Sequence, residues 1–225
     1  DRVRDVRCIV LTGAGRAFCA GLDLQAQMAT SSGGLGGLGS LDANPGEFDI
    51  RNAPPIVLHG LDTPTICALN GGAAGYGFDI ALGCDIRVAA ETAKLAPGFA
   101  KRGILPESGG TWLLPRLVGR ARALGLAMSG DKLPAEEAQR IGLIWQCVDD
   151  AALMDTALAL ANKLAAMPTR ALTETRRAID DAMALDYAGA LSMEAQRQDA
   201  LGHAHDAREG IAAFVEKRAP KFTDR

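Results

Sequence analysis

Two short apolar runs rich in β-branched residues, residues 7–13 (RCIVLTG) and 64–71 (PTICALNG), each close on a glycine, and a third, residues 84–90 (CDIRVAA), follows a segment of helical character. Such runs predict buried strands, because β-branched side chains suit a pleated surface enclosed on both faces. Strands separated by helical segments restrict the chain to an α/β architecture with right-handed crossovers. A length of 225 residues is compatible with one catalytic unit, since domains usually run about 100–200 residues.

Between the first two runs, residues 31–48 (SSGGLGGLGSLDANPGEF) are glycine-rich and aperiodic, which predicts a mobile loop of the kind that often contributes to binding. From Pro134 onward the pattern changes. Residues 134–143, 150–167, 170–186 and 188–201 suit amphipathic helices, with Pro134 and Pro168 placed at helix starts. The last third is therefore expected to be mainly helical.

Bulk properties exclude several function classes. A net charge of −3, with no run of five basic residues, leaves nothing to condense on a phosphate backbone, so nucleic acid is not expected as a partner. No segment approaches the roughly 18–20 consecutive apolar residues of a membrane span, and the opening DRVRDVR is unlike the apolar part of a signal peptide. The expectation is a cytoplasmic protein. The five cysteines (Cys8, Cys19, Cys67, Cys84, Cys147) are scattered through apolar runs without a CxxC pair or clustered histidines, which predicts free thiols, no disulfide and no metal site.

Three segments carry candidate chemistry. In residues 11–24 (LTGAGRAFCAGLDL), Gly13 and Gly15 invite a dinucleotide-loop reading, but no GxGxxG turn with its later acidic residue follows, and no Gly-Lys-Ser/Thr is present. What remains is the small-residue turn Cys19-Ala20-Gly21, which is either a structural turn or one whose backbone amides meet a ligand oxygen. In residues 70–85 (NGGAAGYGFDIALGCD) a glycine-rich turn runs into a helix, and helix N-termini offer N–H groups to an oxyanion. In residues 102–123 (RGILPESGGTWLLPRLVGRARA), Glu107 follows a proline just before a helical run opened near Gly109 and Gly110. It is either a solvated cap or, set among Ile104, Leu105, Trp112 and Leu113, a general base with a raised pKa. Ser108 does not lie in a GxSxG elbow, which argues against a nucleophilic serine.

Taken together and in order, residues 18–24, 70–77, 84–86 and 103–111, with the closing residues 203–222, resemble the enoyl-CoA hydratase/isomerase (crotonase) family over nearly the whole chain. The resemblance implies a ββα-spiral core, residues 1–148, from which the usual first strands are missing, and a helical C-terminal trimerisation region, residues 149–225. It implies an acyl-CoA thioester substrate, no cofactor beyond the coenzyme A of that substrate, and a homotrimer or a dimer of trimers. The implied oxyanion hole consists of the backbone amides of Ala20 and Tyr76, with Gly21, Leu22 and Asp23 in the same ligand-binding turn.

Hydratases of this family carry two glutamates, and the matching positions here are Asp79 and Phe99. A phenylalanine moves no proton, so isomerisation is favoured, with Glu107 where family isomerases acting on 3-enoyl, dienoyl or ring-containing thioesters keep their acidic base. Residues 109–133 and 142–150 resemble the isomerases of ring-containing thioesters. Asp79 is either a dipole-favoured first-turn residue or a second acid. Phe99 and Trp112 are expected in the acyl-pocket wall, and Arg16 or Lys217 as partners of the coenzyme A phosphates. The rival readings are a hydratase or dehydratase using Asp79 with Glu107, and a non-catalytic crotonase-fold binding protein.

Overall fold

A computed structural model of the chain describes residues 5–25, 49–106 and 108–223; Glu107 and the glycine-rich stretch 31–48 lie outside the described residues. The packing divides the chain into two compact units, one comprising residues 10–61 and 65–159, the other residues 1–9, 62–64 and 160–225.

The larger unit repeats a strand, strand, helix pattern. Strands β1 (Ile9–Thr12) and β2 (Ala17–Cys19) are followed by helix α1 (Pro54–Gly60). The next turn of chain supplies β3 (Thr65–Leu69), β4 (Gly72–Ala74) and helix α2 (Tyr76–Gly83). Then come β5 (Ile86–Ala90), β6 (Lys94–Ala96), helices α3 (Gly110–Val118) and α4 (Arg120–Ser129), β7 (Leu133–Pro134), α5 (Ala135–Arg140) and β8 (Gln146–Val148). The first strand of each turn enters one sheet, ordered β1-β3-β5-β8, and the second enters another, ordered β2-β4-β6-β7. This is the expected ββα spiral. The β3–β5, β5–β8, β2–β4 and β4–β6 pairs are parallel and β6–β7 is antiparallel.

The register of the first sheet is pinned at the starts of β3 and β5. Asp85 accepts from the Thr65 N–H at 2.8 Å and from its hydroxyl at 3.0 Å, while the Asp85 N–H donates to that hydroxyl at 2.8 Å. Every residue of β3 is buried, as the continuous apolar run requires. Ile66, Leu69 and Val88 are each 0% exposed, and burying such a side chain stabilises a fold by about 1.5–3 kcal/mol.

The basic residue of β5 is turned inward. Arg87 is buried; its Nε donates to the Leu143 carbonyl at 2.8 Å and its Nη1 to the Cys84 carbonyl at 2.6 Å, closing the C-terminal end of α2. Burial pushes its guanidinium below the ordinary arginine value. All five cysteines are free thiols, with Cys67 and Cys84 buried.

In the second unit, helices α7 (Thr169–Ala182), α8 (Tyr187–Gly202) and α9 (His205–Glu216) follow the long helix α6 (Leu153–Ala165), which the larger unit begins. Pro134 and Pro168 cap α5 and α7, as their positions in the sequence predict. The strand at Gln146–Val148, between two predicted helices, is an addition that the sequence does not signal. Arg7 ties down the end of α6, its Nε donating to Ala165 O and its Nη2 to Met167 O, each at 2.7 Å. The C-terminal tail is held by Glu209, which accepts from Arg218 at 2.6 and 2.9 Å and from the Lys221 N–H at 2.6 Å. Among the described residues, no helix is long and apolar enough to cross a membrane.

Candidate active site

The two glycine-rich turns meet because their glycines leave no room for anything else. A Cβ at Gly77 would lie 2.3 Å from the Cys19 carbonyl oxygen, and one at Gly71 would lie 2.3 Å from the Arg16 carbonyl oxygen. Asn70, at the end of β3, fastens the β1–β2 connection from the other side, accepting from the Gly13 N–H at 3.0 Å and donating to Gly15 O at 2.9 Å. Of the two glycines that suggested a dinucleotide loop, Gly13 serves close backbone packing, since a Cβ there would lie 2.2 Å from the Ala17 carbonyl oxygen, whereas Gly15 has open space around it and takes a left-handed φ of +73°.

Gly21 and Gly75 place the two turns side by side. Gly21 has φ +97°, and a Cβ on it would lie 2.9 Å from Ala74 O and 3.4 Å from Tyr76 N. Gly75, at φ 53° and ψ −122°, is the N-cap of α2; its N–H donates to Ala96 O at 2.9 Å, and its carbonyl starts the helix by accepting from Phe78 at 2.9 Å and Asp79 at 3.2 Å. Tyr76 is the first residue of α2, so its N–H lies outside the intrahelical ladder and at the positive end of the helix.

These turns open on a cleft of about 70 Å³ lined by Ala20, Gly21, Leu22, Leu24, Ala74, Gly75, Tyr76, Gly98, Phe99, Arg102 and Ile104. The structure thus brings together Ala20, Gly21, Leu22, Tyr76 and Phe99 from the residues predicted by sequence. Asp23 is not on the lining; its carboxylate accepts from the Gln25 N–H at 3.0 Å.

Asp79 sits on α2 one turn beyond Tyr76 and is 1% exposed. Its carboxylate lies against Gly110, the first residue of α3, so that it is close to the starts of two helices. Ser108, just before α3, is also buried, and its hydroxyl has no hydrogen-bond partner among the described residues.

Two surroundings differ from expectation. Trp112 is absent from the lining of the cleft: the Arg116 guanidinium stacks over its ring at 3.8 Å from the centroid, and His59 meets its edge at 5.7 Å. Ile104, Leu105 and Trp112, expected to surround the acid at residue 107, are 37%, 66% and 38% exposed. Lys217 caps the end of α9 with φ 54°, and no hydrogen bond or ion pair fixes Arg16 among the described residues. Arg102 and Gly98 were missed by sequence reasoning; the only sequence signal was a basic pair, Lys101-Arg102, directly after Phe99. Among the described residues, no cluster of three His, Cys, Asp or Glu is placed to hold a metal.

Comparison with known proteins gives this arrangement its class. The family model described as enoyl-CoA hydratase/isomerase matches residues 2–225, and the chain belongs to that family. It is 46% identical over 226 residues to the 1,2-epoxyphenylacetyl-CoA isomerase of Escherichia coli K12, covering 99% of this chain and 83% of that protein. It is 40% identical over 223 residues to a probable enoyl-CoA hydratase of Rhodobacter capsulatus, covering 98% and 82%. Among solved structures, an enoyl-CoA hydratase subunit from Geobacillus kaustophilus superposes with a TM-score of 0.85 at 35% identity, covering 100% of this chain and 83% of the other. The chain is thus a crotonase-fold enzyme of acyl-CoA thioesters, in the isomerase and hydratase class.

Proposed function

We propose that the chain is an acyl-CoA isomerase working through a thioester enolate, with a ring-1,2-epoxyphenylacetyl-CoA or a 3-enoyl-CoA as substrate. The observation that carries this reading is the shared cleft: the Ala20–Leu22 turn lies beside the N-terminus of α2 at Tyr76, with Phe99 in the same wall. In this reading the thioester oxygen accepts from the Ala20 and Tyr76 N–H groups, donors fixed before the reaction and of a kind worth on the order of 10²–10³ in rate each. Glu107, assigned from its place in the sequence, removes a proton from the adjacent carbon and returns it to a different carbon. No water is added, so one carboxylate suffices, and Phe99 shapes the acyl pocket where a hydratase would need a second acid.

The name of the Escherichia coli relative supports the ring-containing substrate. A second reading, hydration or dehydration by Asp79 with Glu107, is favoured by the burial of Asp79 one helical turn from Tyr76. We also read the active form as a cytoplasmic homotrimer or dimer of trimers, supported by the family resemblance and by large apolar side chains on the smaller unit, Phe214 at 85% exposure among them.

The test is incubation with a panel of aliphatic and ring-derived CoA thioesters followed by product identification. An isomerised product without solvent oxygen is the expected result, and incorporation of ¹⁸O from water would establish the hydratase instead. Glu107→Gln should abolish α-proton exchange while thioester binding persists; exchange at the parent rate would remove Glu107 from its role.

A further inference from the structure

Among the described residues that line the cleft, Arg102 is the charged one, and the proposed reaction gives it no task. Arg102 is the last residue of the 3-10 turn Ala100–Arg102 that follows Phe99. Its Nη1 donates to the Gly98 carbonyl at 2.8 Å, which folds the side chain back across the turn that presents Phe99. Glycine at residue 98 leaves room for this approach: a Cβ there would lie 3.0 Å from Nη1 and the guanidinium would have to give way slightly.

A guanidinium has five N–H donors in a rigid plane, and the Gly98 carbonyl takes one. Its neighbour Lys101 is paired with Asp131 at 2.9 Å, whereas among the described residues Arg102 meets no carboxylate. The walls beside it, Leu22, Phe99 and Ile104, are hydrocarbon. Walls of low polarity strengthen the pull of a fixed cation on an opposite charge.

We infer that Arg102 is a specificity-determining residue that binds a negatively charged oxygen of the thioester ligand, an inference that rests on the cleft being the thioester site. Two parts of such a ligand have this chemistry, a carboxylate on the acyl group and a phosphate of coenzyme A, and both match the forked donors of arginine.

The test is calorimetric titration of the full chain with butyryl-CoA, glutaryl-CoA and the two corresponding S-acyl pantetheines, which lack phosphate. If the acyl carboxylate is the partner, Arg102→Leu weakens both glutaryl ligands by about tenfold or more and leaves both butyryl ligands unchanged. If the phosphate is the partner, both CoA ligands weaken by that factor and both pantetheines do not. Arg102→Lys should fall between parent and Leu, since it keeps the charge and loses the fork. Gly98→Ala should give the Leu pattern in weaker form by displacing the guanidinium. Unchanged binding of all four ligands by Arg102→Leu, or equal weakening of all four, would overturn the inference while leaving the site in place. Failure of the parent chain to bind any of the four would instead overturn the proposed function on which the inference rests.

Discussion

The Asp79 carboxylate occupies the space that a side chain at Gly110 would need: a Cβ there would lie 2.4 Å from Oδ1. Asp79 is in the first turn of α2 and Gly110 is the first residue of α3, so two helix starts, each favouring negative charge, border one buried carboxylate. Gly110→Ala tests this fit. Alanine brings up to about 1 kcal/mol of helix propensity, but overpacking a buried site costs about 1–3 kcal/mol. The steric term should win, and urea unfolding should show a lowered midpoint at unchanged slope; a raised midpoint would mean the carboxylate moves away freely.

Gly21→Ala should separate activity from stability. The left-handed φ of +97° costs a non-glycine residue about 1–3 kcal/mol, and the new methyl would meet Ala74 O at 2.9 Å. Relief requires the two turns of the cleft to part, and displacements of about 1 Å at a reacting centre can cost on the order of 10²-fold. Steady-state kinetics should therefore show a large fall in kcat/KM in a variant that still unfolds cooperatively. Parent-like kinetics would show that the spacing of these turns is irrelevant to turnover.

Arg87→Met should destabilise the larger unit without touching the cleft. The substitution keeps much of the hydrocarbon stem and strips the carbonyls of Leu143 and Cys84 of their donor. Leaving buried acceptors unsatisfied costs about 1–3 kcal/mol each, so a loss of about 2–6 kcal/mol is expected from denaturant unfolding, and a parent-like midpoint would show that these carbonyls find other donors.

The tail clamp of the smaller unit should respond to acid. The Arg218 side chain, and after it the Lys221 N–H, hold the Glu209 carboxyl down at about 2 against an ordinary value of 4.5. Because the folded value is the lower one, the stabilisation is complete above the ordinary value and is lost as pH falls toward the folded one. An NMR titration of the Glu209 side chain should show its midpoint near 2, and Arg218→Ala should move that midpoint up toward 4.5.

Legibility in the sequence follows strand composition. Ile9–Thr12, Thr65–Leu69 and Ile86–Ala90 carry β-branched residues and are visible as strands, whereas Ala17–Cys19, Gly72–Ala74 and Lys94–Ala96 are too short and too rich in small residues to show a pattern. Those cryptic strands build the second sheet, so the spiral was reached through family resemblance and not through periodicity. At the site, the glycines that mark Ala20 and Tyr76 were legible because close backbone approach leaves a compositional trace. The Asp79–Gly110 contact joins residues far apart in sequence and leaves none. Arg102 was hidden for another reason: an exposed basic residue is ordinarily a solvated one, and the bond from its guanidinium to the Gly98 carbonyl, on the lining of the cleft, leaves no pattern in the sequence.

The cleft draws its lining from three stretches, within residues 20–24 without Asp23, 74–76 and 98–104, at or just past the ends of β2, β4 and β6. Consecutive coils of the spiral thus furnish separate corners of a single chamber. Remodelling the corner at residues 98–104 would leave the main-chain geometry of the other two untouched, so a scaffold of this kind can exchange its choice of guest while its glycine joints stay as they are.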